Sequence, residues 1–207
     1  MQPEASSLPM GYSYVQQWLA IRALATALPT GWTLVIREHP YTFLWNADIE
    51  SVRTMEFYES MRSLPNVALA PLEADPFDLI DECESVATLT GTVGIQSLCR
   101  GKPVIAFGSA PYLGCPGVFF VKGIEQIRAA LKKIQAGKSE LTTQKFYQYI
   151  SWVESVSIEG VSEESCWDGN DIEIWADAKT KLWERLIKLQ NDPPATMFSE
   201  HRPKSQT

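Results

Sequence analysis

The sequence predicts an α/β protein whose parallel, doubly wound sheet is Rossmann-like and flanked by helices. Short apolar runs, among them 33–36 and 103–107, alternate with helical patterns over the first 137 residues. Runs that are this short and rich in β-branched residues are typical of buried strands, and strands that alternate with helices form parallel sheets. A turn with two glycines, 90–96, follows one of the runs. Ligands of such a sheet gather at the carboxyl ends of its strands.

Apolar spacing and local start and stop signals define the predicted elements. The pattern from Tyr14 to Leu28 is helical and ends before Pro29. Asp75 followed by Pro76 is a helix start, with a capping side chain and a proline in the first turn. The predicted order is helix 14–28, strand 33–36, helix 53–62, strand 67–70, helix 75–83, strand 86–89, helix 92–100, strand 103–107, strand 118–121 and helix 124–134, which is closed by Gly137.

We expect residues 1–137 to form the Rossmann-like domain, 138–190 a C-terminal helical extension and 191–207 a disordered tail. Two helical stretches, 143–156 and 175–189, flank an acidic segment without clear periodicity. The second stretch has a wide apolar face for a terminal helix. The tail is polar and rich in proline, which is typical of disorder.

Composition places the chain among soluble globular proteins. Of its 207 residues, 45% are hydrophobic and 21% charged, and the formal net charge is −7. A nucleic-acid binder needs a basic surface and a membrane span needs about 20 apolar residues in a row, so we expect neither. The four cysteines lack zinc-binding spacing and no residues cluster as metal ligands, so we expect no metal. We expect a cytoplasmic protein, with peripheral attachment at the inner membrane left open.

The motif Arg37-Glu38-His39-Pro40 follows the first clear strand, where a parallel sheet binds its ligands. Proline restricts the residue before it to extended backbone, which holds the His39 imidazole at the tip of the strand. An imidazole can donate a hydrogen bond to a phosphate oxygen, or a proton to a leaving group, near neutral pH. In the alternative interpretation His39 only closes a loop, while Arg37 and Glu38 form a solvated pair.

The turn Thr90-Gly91-Thr92-Val93-Gly94-Ile95-Gln96 leads from a strand into a helix. A helix N-terminus presents free backbone N–H groups and the positive end of its dipole, so the turn predicts a phosphate site. The threonines beside Gly91 add hydroxyl groups. In the structural alternative Thr90 or Thr92 caps the helix, Gly91 supplies a positive φ and Gly94 allows close packing. The spacing is neither that of a Walker loop nor that of a dinucleotide site.

Tyr112 ends the loop Ser109-Ala110-Pro111-Tyr112, which follows the strand 103–107. The loop overhangs the same sheet edge as the other two motifs. The Tyr112 ring can stack on a base or a sugar, because aromatic rings present large flat faces. The alternative is a half-buried loop aromatic. We include Tyr112 among the candidate donor-binding residues.

Together these motifs resemble those of the bacterial capsule and surface-polysaccharide biosynthesis proteins. This is a family of GT-B-type glycosyltransferases that includes the CMP-Kdo-dependent capsule enzymes. The resemblance covers roughly residues 1–125. It rests on Gln2-Pro3-Glu4-Ala5-Ser6, Arg37-Glu38-His39-Pro40, Thr90-Gly91-Thr92-Val93-Gly94 and Gly101-Lys102-Pro103-Val104. In such enzymes two Rossmann-like domains face each other, and the C-terminal one holds the nucleotide-sugar donor.

The resemblance implies roles for individual residues. His39 and the turn at Thr90-Gly91-Thr92 contact the donor phosphate, with His39 as a catalytic residue. Separately from the resemblance, we assign Arg37, Glu38, Gly94 and Tyr112 to the same donor site. Glu4 and Ser6 line the cleft, and Glu4 is the second candidate catalytic residue.

Two departures from the family pattern matter. Family members often carry a glutamate after the second glycine of the turn, where it accepts from ribose hydroxyls. Here that position is Gln96, which can form a hydrogen bond but carries no charge. The chain also begins at the motif that normally follows the first strand of the C-terminal domain, so we expect the acceptor-binding domain and a central strand to be missing. The apolar last helix agrees with this, because the terminal helices of GT-B enzymes cross onto the partner domain.

The resulting prediction is the donor-binding domain of a glycosyltransferase for capsule or surface polysaccharide. It transfers a sugar from a nucleotide donor, for which a CMP-linked sugar is the first candidate, to a glycan or glycolipid acceptor. The donor is a substrate, no separate cofactor is expected, and a partner chain or domain supplies the acceptor half. Two other classes stay open: a non-catalytic nucleotide-binding module or inactive fragment, and a sugar-nucleotide epimerase of related fold.

Overall fold

The computed structural model describes residues 8–39, 42, 53–157 and 184. The chain divides into two compact units, Met1–Phe146 and Tyr147–Thr207. The candidate residues Glu4 and Ser6 lie outside the described residues, and so does the stretch 175–189 except for Glu184, which is helical. Within the described ranges, no helix combines the length and the apolar character needed to cross a bilayer.

Helices and strands follow one another in the order that the apolar pattern predicts, and their ends agree within a few residues. A short 3-10 helix at Tyr12–Tyr14 precedes the first α-helix. The described elements are α1 (Gln17–Ala27), β1 (Leu34–Ile36), α2 (Met55–Arg62), β2 (Val67–Leu69), α3 (Pro76–Glu82), β3 (Val86–Thr88), α4 (Val93–Cys99), β4 (Val104–Ala106), β5 (Val118–Phe120), α5 (Ile124–Gln135) and α6 (Thr143–Val156).

Local signals in the sequence account for the ends of two helices. Asp75 caps α3, because its Oδ1 accepts hydrogen bonds from the amides of Phe77 and Asp78 at 2.7 and 3.3 Å. These are N–H groups that a helix does not satisfy internally. After α5, Gly137 has a φ of +65°, a conformation that glycine adopts without strain. Both predicted signals are confirmed.

Every pair formed by the described strands is parallel, which confirms an α/β, Rossmann-like fold. β1 pairs with β2, and Val35 lies opposite Ala68. β4 pairs with β3 on one side and with β5 on the other. The described strands thus form two hydrogen-bonded sheets, one of two strands and one of three. The apolar pattern does not indicate this division, because strand pairing depends on contacts between distant parts of the chain.

Two apolar clusters hold the helices on the sheets, and α1 belongs to both. The larger cluster joins Leu24 of α1 to Ile105 of β4 and to helix α5. The smaller cluster joins Ile21 of α1 to Ile36 of β1 and Met61 of α2. Helix α1 therefore packs on both sheets and fixes β1 relative to β4.

Candidate functional site

A buried carboxylate follows Arg37 at the tip of β1. Glu38 is 6% exposed, and its Oε1 lies 3.1 Å from Nε of Arg53, whose side chain is 1% exposed. The hydroxyl of Tyr58 on α2 donates to the same oxygen at 3.3 Å. Burial, and then the charge of Glu38, raises the pKa of Tyr58 to about 12, so the hydroxyl remains a donor. The interpretation of Glu38 as half of a solvated pair is therefore wrong.

Arg53 connects the tip of β1 to two helices. Its Nη2 donates to Oε1 of Gln17, a buried residue at the start of α1, at 3.1 Å. Its guanidinium lies over the ring of Phe57 on α2, 4.6 Å from the ring centroid. Sequence reasoning missed Arg53, Gln17 and Tyr58, because they are far apart in the chain and no motif joins them. In the sequence alone, Arg53 is recognisable only as a charged residue at the start of a predicted helix.

Arg37 and His39 flank Glu38 and are half-buried. Nε of Arg37 donates to the carbonyl of Ala74 at 3.2 Å, which ties the loop to the segment ahead of α3. The carbonyl of His39 accepts from the amide of Thr42 at 2.9 Å. Burial, and to a smaller degree the charge of Arg37, lowers the pKa of His39 below its usual 6.5, so the imidazole is mostly neutral at pH 7. A nearby phosphate acts in the opposite direction, because a negative charge favours the protonated ring.

The turn after β3 is shaped mainly by its own backbone. Oγ1 of Thr88, the last residue of β3, accepts from the amide of Gly91 at 3.2 Å, and the amide of Gly94 donates to the carbonyl of Gly91 at 3.1 Å. The next amides, those of Thr92 and Val93, stand at the start of α4, where a helix does not satisfy them internally. The Thr92 side chain makes no capping hydrogen bond. The predicted phosphate site therefore depends on the amides of Thr92 and Val93.

Tyr112 packs directly against the glycine at the start of α4. A β-carbon at Gly94 would lie 2.6 Å from Cε2 of Tyr112, so only glycine fits there. The Tyr112 hydroxyl donates to the carbonyl of Gly91 at 2.5 Å, and burial raises its pKa to about 12. The close-packing role considered for Gly94 is confirmed, whereas Gly91 is not among the described glycines with positive φ. The Tyr112 ring is 5% exposed and supports the turn from inside, so it does not offer an open face for stacking.

The turn after β3 and the segment ahead of α1 meet at the carboxyl end of β4. The amide of Ser109 donates to the carbonyl of Met10 at 2.8 Å. A β-carbon at Gly108 would lie 2.6 Å from that carbonyl oxygen and 2.7 Å from Cγ2 of Thr90. Met10 and Thr90 therefore both lie close against Gly108, where a β-carbon would stand.

The N-terminal end of α1 connects to the tips of β1 and β4. Just ahead of α1, the ring of Tyr14 packs edge to face on Phe107, with centroids 4.7 Å apart. At the start of α1, Gln17 reaches the tip of β1 through Arg53. The segment around the start of α1 therefore connects to the tips of β1 and β4, and β3 is the parallel neighbour of β4. That the two loops share one binding edge stays a prediction.

The structure divides the predicted site residues into two groups. Glu38, Gly94 and Tyr112 are buried and support the loops, whereas the more accessible candidates are Arg37, His39, Thr90, Gly91, Thr92 and, on α4, Gln96. Glu4 lies outside the described residues. In the part of the chain that the structure describes, no three His, Cys, Asp or Glu side chains are grouped so as to hold a metal ion. The binding roles of these residues stay predictions.

The fold is that of the parallel α/β proteins, a class whose ligands bind at the carboxyl ends of the strands, and this chain carries two polar loops at such strand ends. More particularly, the chain belongs to the family of capsule polysaccharide biosynthesis proteins, whose model matches residues 16–148. The matched range contains both loops and all five described strands. A search of curated proteins and a search of solved structures found no match. The resemblance inferred from the motifs is confirmed, and with it an involvement in capsule synthesis.

Proposed function

We propose that this chain is the donor-binding domain of a glycosyltransferase in capsule or surface polysaccharide biosynthesis. It binds a nucleotide sugar, for which a CMP-linked sugar is the first candidate, and the intact enzyme transfers the sugar to a glycan or glycolipid acceptor. The observation that supports the proposal is a chain of contacts. The N-terminal end of α1 reaches the loop after β1 through Arg53, and the segment ahead of α1 reaches Gly108, which lies against Thr90. Membership of the capsule family also supports the proposal.

His39 and the start of α4 act on the donor phosphate in this proposal. The phosphate gains negative charge as it leaves the sugar, and the amides of Thr92 and Val93 stabilise that charge together with the helix dipole. The His39 imidazole donates a hydrogen bond or a proton to the same group. Gln96 as a partner of the ribose hydroxyls, and Glu4 as a second catalytic residue, rest on the family resemblance.

A second domain or a partner chain binds the acceptor, because both described loops are assigned to the donor. The identity of the acceptor depends on that second half. The assignment therefore has two separable parts: donor binding, which this chain performs, and transfer, which needs both halves.

Calorimetry tests donor binding in the chain as it stands. CMP, UDP and CMP-Kdo are titrated into the wild type, into His39→Ala and into His201→Ala, which replaces the only other histidine. A hydrogen bond to a charged group contributes about 1.5–3 kcal/mol, so His39→Ala is expected to weaken binding about tenfold or more. His201→Ala is expected to bind as the wild type does. Wild-type protein that binds none of the three would overturn the proposal.

Transfer is tested by joining the chain to the protein encoded directly upstream in the same frame, or to a co-encoded partner chain. Sugar transfer by the joined protein, lost in His39→Ala, supports the enzyme. Nucleotide binding with no transfer by any such combination favours the non-catalytic binding module instead.

A further inference from the structure

Three buried side chains and a half-buried tyrosine, from separate parts of the chain, form a polar cluster behind the tip of β1. Glu38 and Arg53 form an ion pair at 3.1 Å, with 6% and 1% of their side chains exposed. Gln17 accepts from Arg53 at 3.1 Å, and Tyr58 donates to Glu38 at 3.3 Å. The cluster joins the loop after β1, the segment ahead of α2, and both helices α1 and α2.

The arginine is the centre of this cluster because one planar group makes three contacts. Its Nε faces Glu38, its Nη2 faces Gln17, and the plane of the guanidinium lies over Phe57. A lysine ammonium is a single point charge and does not replace the planar guanidinium, whose N–H groups donate to two acceptors at fixed positions. Arg53 therefore sets where Glu38 lies relative to the N-terminal end of α1.

His39 is the next residue after Glu38, so its backbone position follows that of the buried carboxylate. Its own carbonyl is held by the amide of Thr42, at 2.9 Å. With both sides of the residue fixed, the backbone from which the half-buried imidazole projects is held in place. We propose that Glu38 and Arg53 are positioning residues, which hold the His39 imidazole where a phosphate binds, and that Glu38 does not itself contact the donor. The phosphate part of this inference rests on the proposed function; the positioning part does not.

The protein contains a matched control for this cluster on its surface. Arg100 pairs with Asp81 at 2.7 Å and its guanidinium lies 4.7 Å from the ring centroid of Phe77, so the same three kinds of group recur. Here the arginine and aspartate side chains are 37% and 50% exposed. Asp81→Asn and Arg100→Lys thus repeat the chemistry of Glu38→Gln and Arg53→Lys at a site remote from His39 in the fold.

The first measurement is made without any ligand. The imidazole signals of His39 and His201 are recorded by ¹H–¹³C NMR in the full chain, and His39→Gln assigns them. Glu38→Gln and Arg53→Lys are each expected to move or broaden the His39 signal, whereas the His201 signal and both surface variants stay as in the wild type. A smaller shift is expected for Tyr58→Phe, which removes one hydrogen bond and keeps the ring; this variant decides the matter if the charged-pair variants fail to fold.

The second measurement is the affinity for CMP, taken at a temperature where circular dichroism shows each variant folded. Glu38→Gln and Arg53→Lys are expected to weaken CMP binding at least tenfold, and the double variant no more than the weaker-binding single. Asp81→Asn and Arg100→Lys are expected to stay within twofold of the wild type. This non-additivity is expected because both residues act through the same imidazole.

Two results would overturn the proposal. One is a His39 signal that is unchanged in Glu38→Gln and Tyr58→Phe, because the cluster would then not set the imidazole. The other is a loss of CMP affinity in Glu38→Gln alone, with Arg53→Lys normal, because Glu38 would then be a direct ligand. If the wild type does not bind CMP, UDP or CMP-Kdo, the proposed function fails, while the ligand-free NMR spectra still decide whether the cluster positions His39.

Discussion

The two loops at the sheet edge are held in different ways. Side chains hold the loop after β1: a buried ion pair between Glu38 and Arg53 joins it to two helices. Backbone and close packing hold the turn after β3, where Gly94 lies against Tyr112 and the hydroxyl of that tyrosine reaches the carbonyl of Gly91. The loop after β1 depends on charge compensation, whereas the turn after β3 depends on close packing without a side chain at Gly94. The two should therefore respond to different substitutions.

The largest effect is expected from breaking the buried pair. Arg53→Met leaves the Glu38 carboxylate buried without its cation, which costs about 3–5 kcal/mol in the free energy of unfolding. Urea denaturation followed by circular dichroism measures the loss. Arg100→Met breaks the exposed pair with Asp81, which contributes about 1 kcal/mol or less. Similar losses in the two variants would show that burial does not distinguish the two sites.

The double variant Glu38→Gln with Arg53→Met sharpens the same test. Removing both charges avoids a buried uncompensated ion, so the double variant should be more stable than Arg53→Met alone. The same urea titration measures it. A double variant that loses the sum of the two single losses would mean that the two side chains do not interact.

The next largest effect is expected at the turn after β3. Gly94→Ala places a methyl group in the ring of Tyr112, and overpacking of this kind costs about 1–3 kcal/mol. In a Tyr112→Ala background the clash is gone, and alanine is about 1 kcal/mol better than glycine inside a helix, so the same substitution should then stabilise the protein. Thermal unfolding of the wild type and the three variants measures this coupling. Equal effects of Gly94→Ala in both backgrounds would contradict the packing described for the turn.

A smaller effect is expected from the tyrosine hydroxyl alone. Tyr112→Phe keeps the ring and removes the hydrogen bond to the carbonyl of Gly91, with an expected loss of about 0.5–1.5 kcal/mol. Because the pKa of Tyr112 is raised to about 12, its phenol should also stay neutral in an absorbance titration up to pH 11. The number of tyrosines that are ionised at pH 11 should therefore be the same in Tyr112→Phe and in the wild type. Fewer ionised tyrosines in the variant would show that Tyr112 is not shielded from water.

The smallest effect concerns pH and the loop after β1. The pKa of His39 is lower in the folded protein than its usual 6.5, so the unfolded chain takes up a proton at a higher pH than the folded one. The contribution of His39 to stability is therefore present above pH 6.5 and is lost as the pH falls through the folded pKa. Urea midpoints between pH 7.5 and pH 5 should decline more in the wild type than in His39→Gln. An equal decline would mean that His39 titrates normally in the fold.

Local features made much of the fold predictable from the sequence. The strands were visible as short apolar runs, and the start of α3 followed from Asp75 and Pro76 because caps act within one helical turn. The motif around His39 and the turn at Gly94 each follow a strand of the parallel layer, as the apolar pattern predicts.

Features that depend on distant contacts were not predictable in the same way. Glu38 was assigned to the donor because it stands next to His39, yet it is buried against Arg53. The burial of Tyr112 depends on the absence of a side chain at Gly94, far from it in the chain. In both cases the neighbours in space, which a single sequence does not reveal, decide whether a polar residue faces a ligand or supports the loop that does.

Helix α1 couples the two loops thermodynamically. Its N-terminal end connects to the loop after β1 through Gln17 and Arg53. The segment just ahead of it contacts the loop after β4 through Met10, and Thr90 of the turn after β3 lies against that same loop. A ligand that orders one loop therefore lowers the entropy that remains to be lost when the other closes. Occupancy of either loop should protect amides in both loops from hydrogen exchange. Binding of one part of a donor molecule at one loop then favours binding of the other part at the second loop.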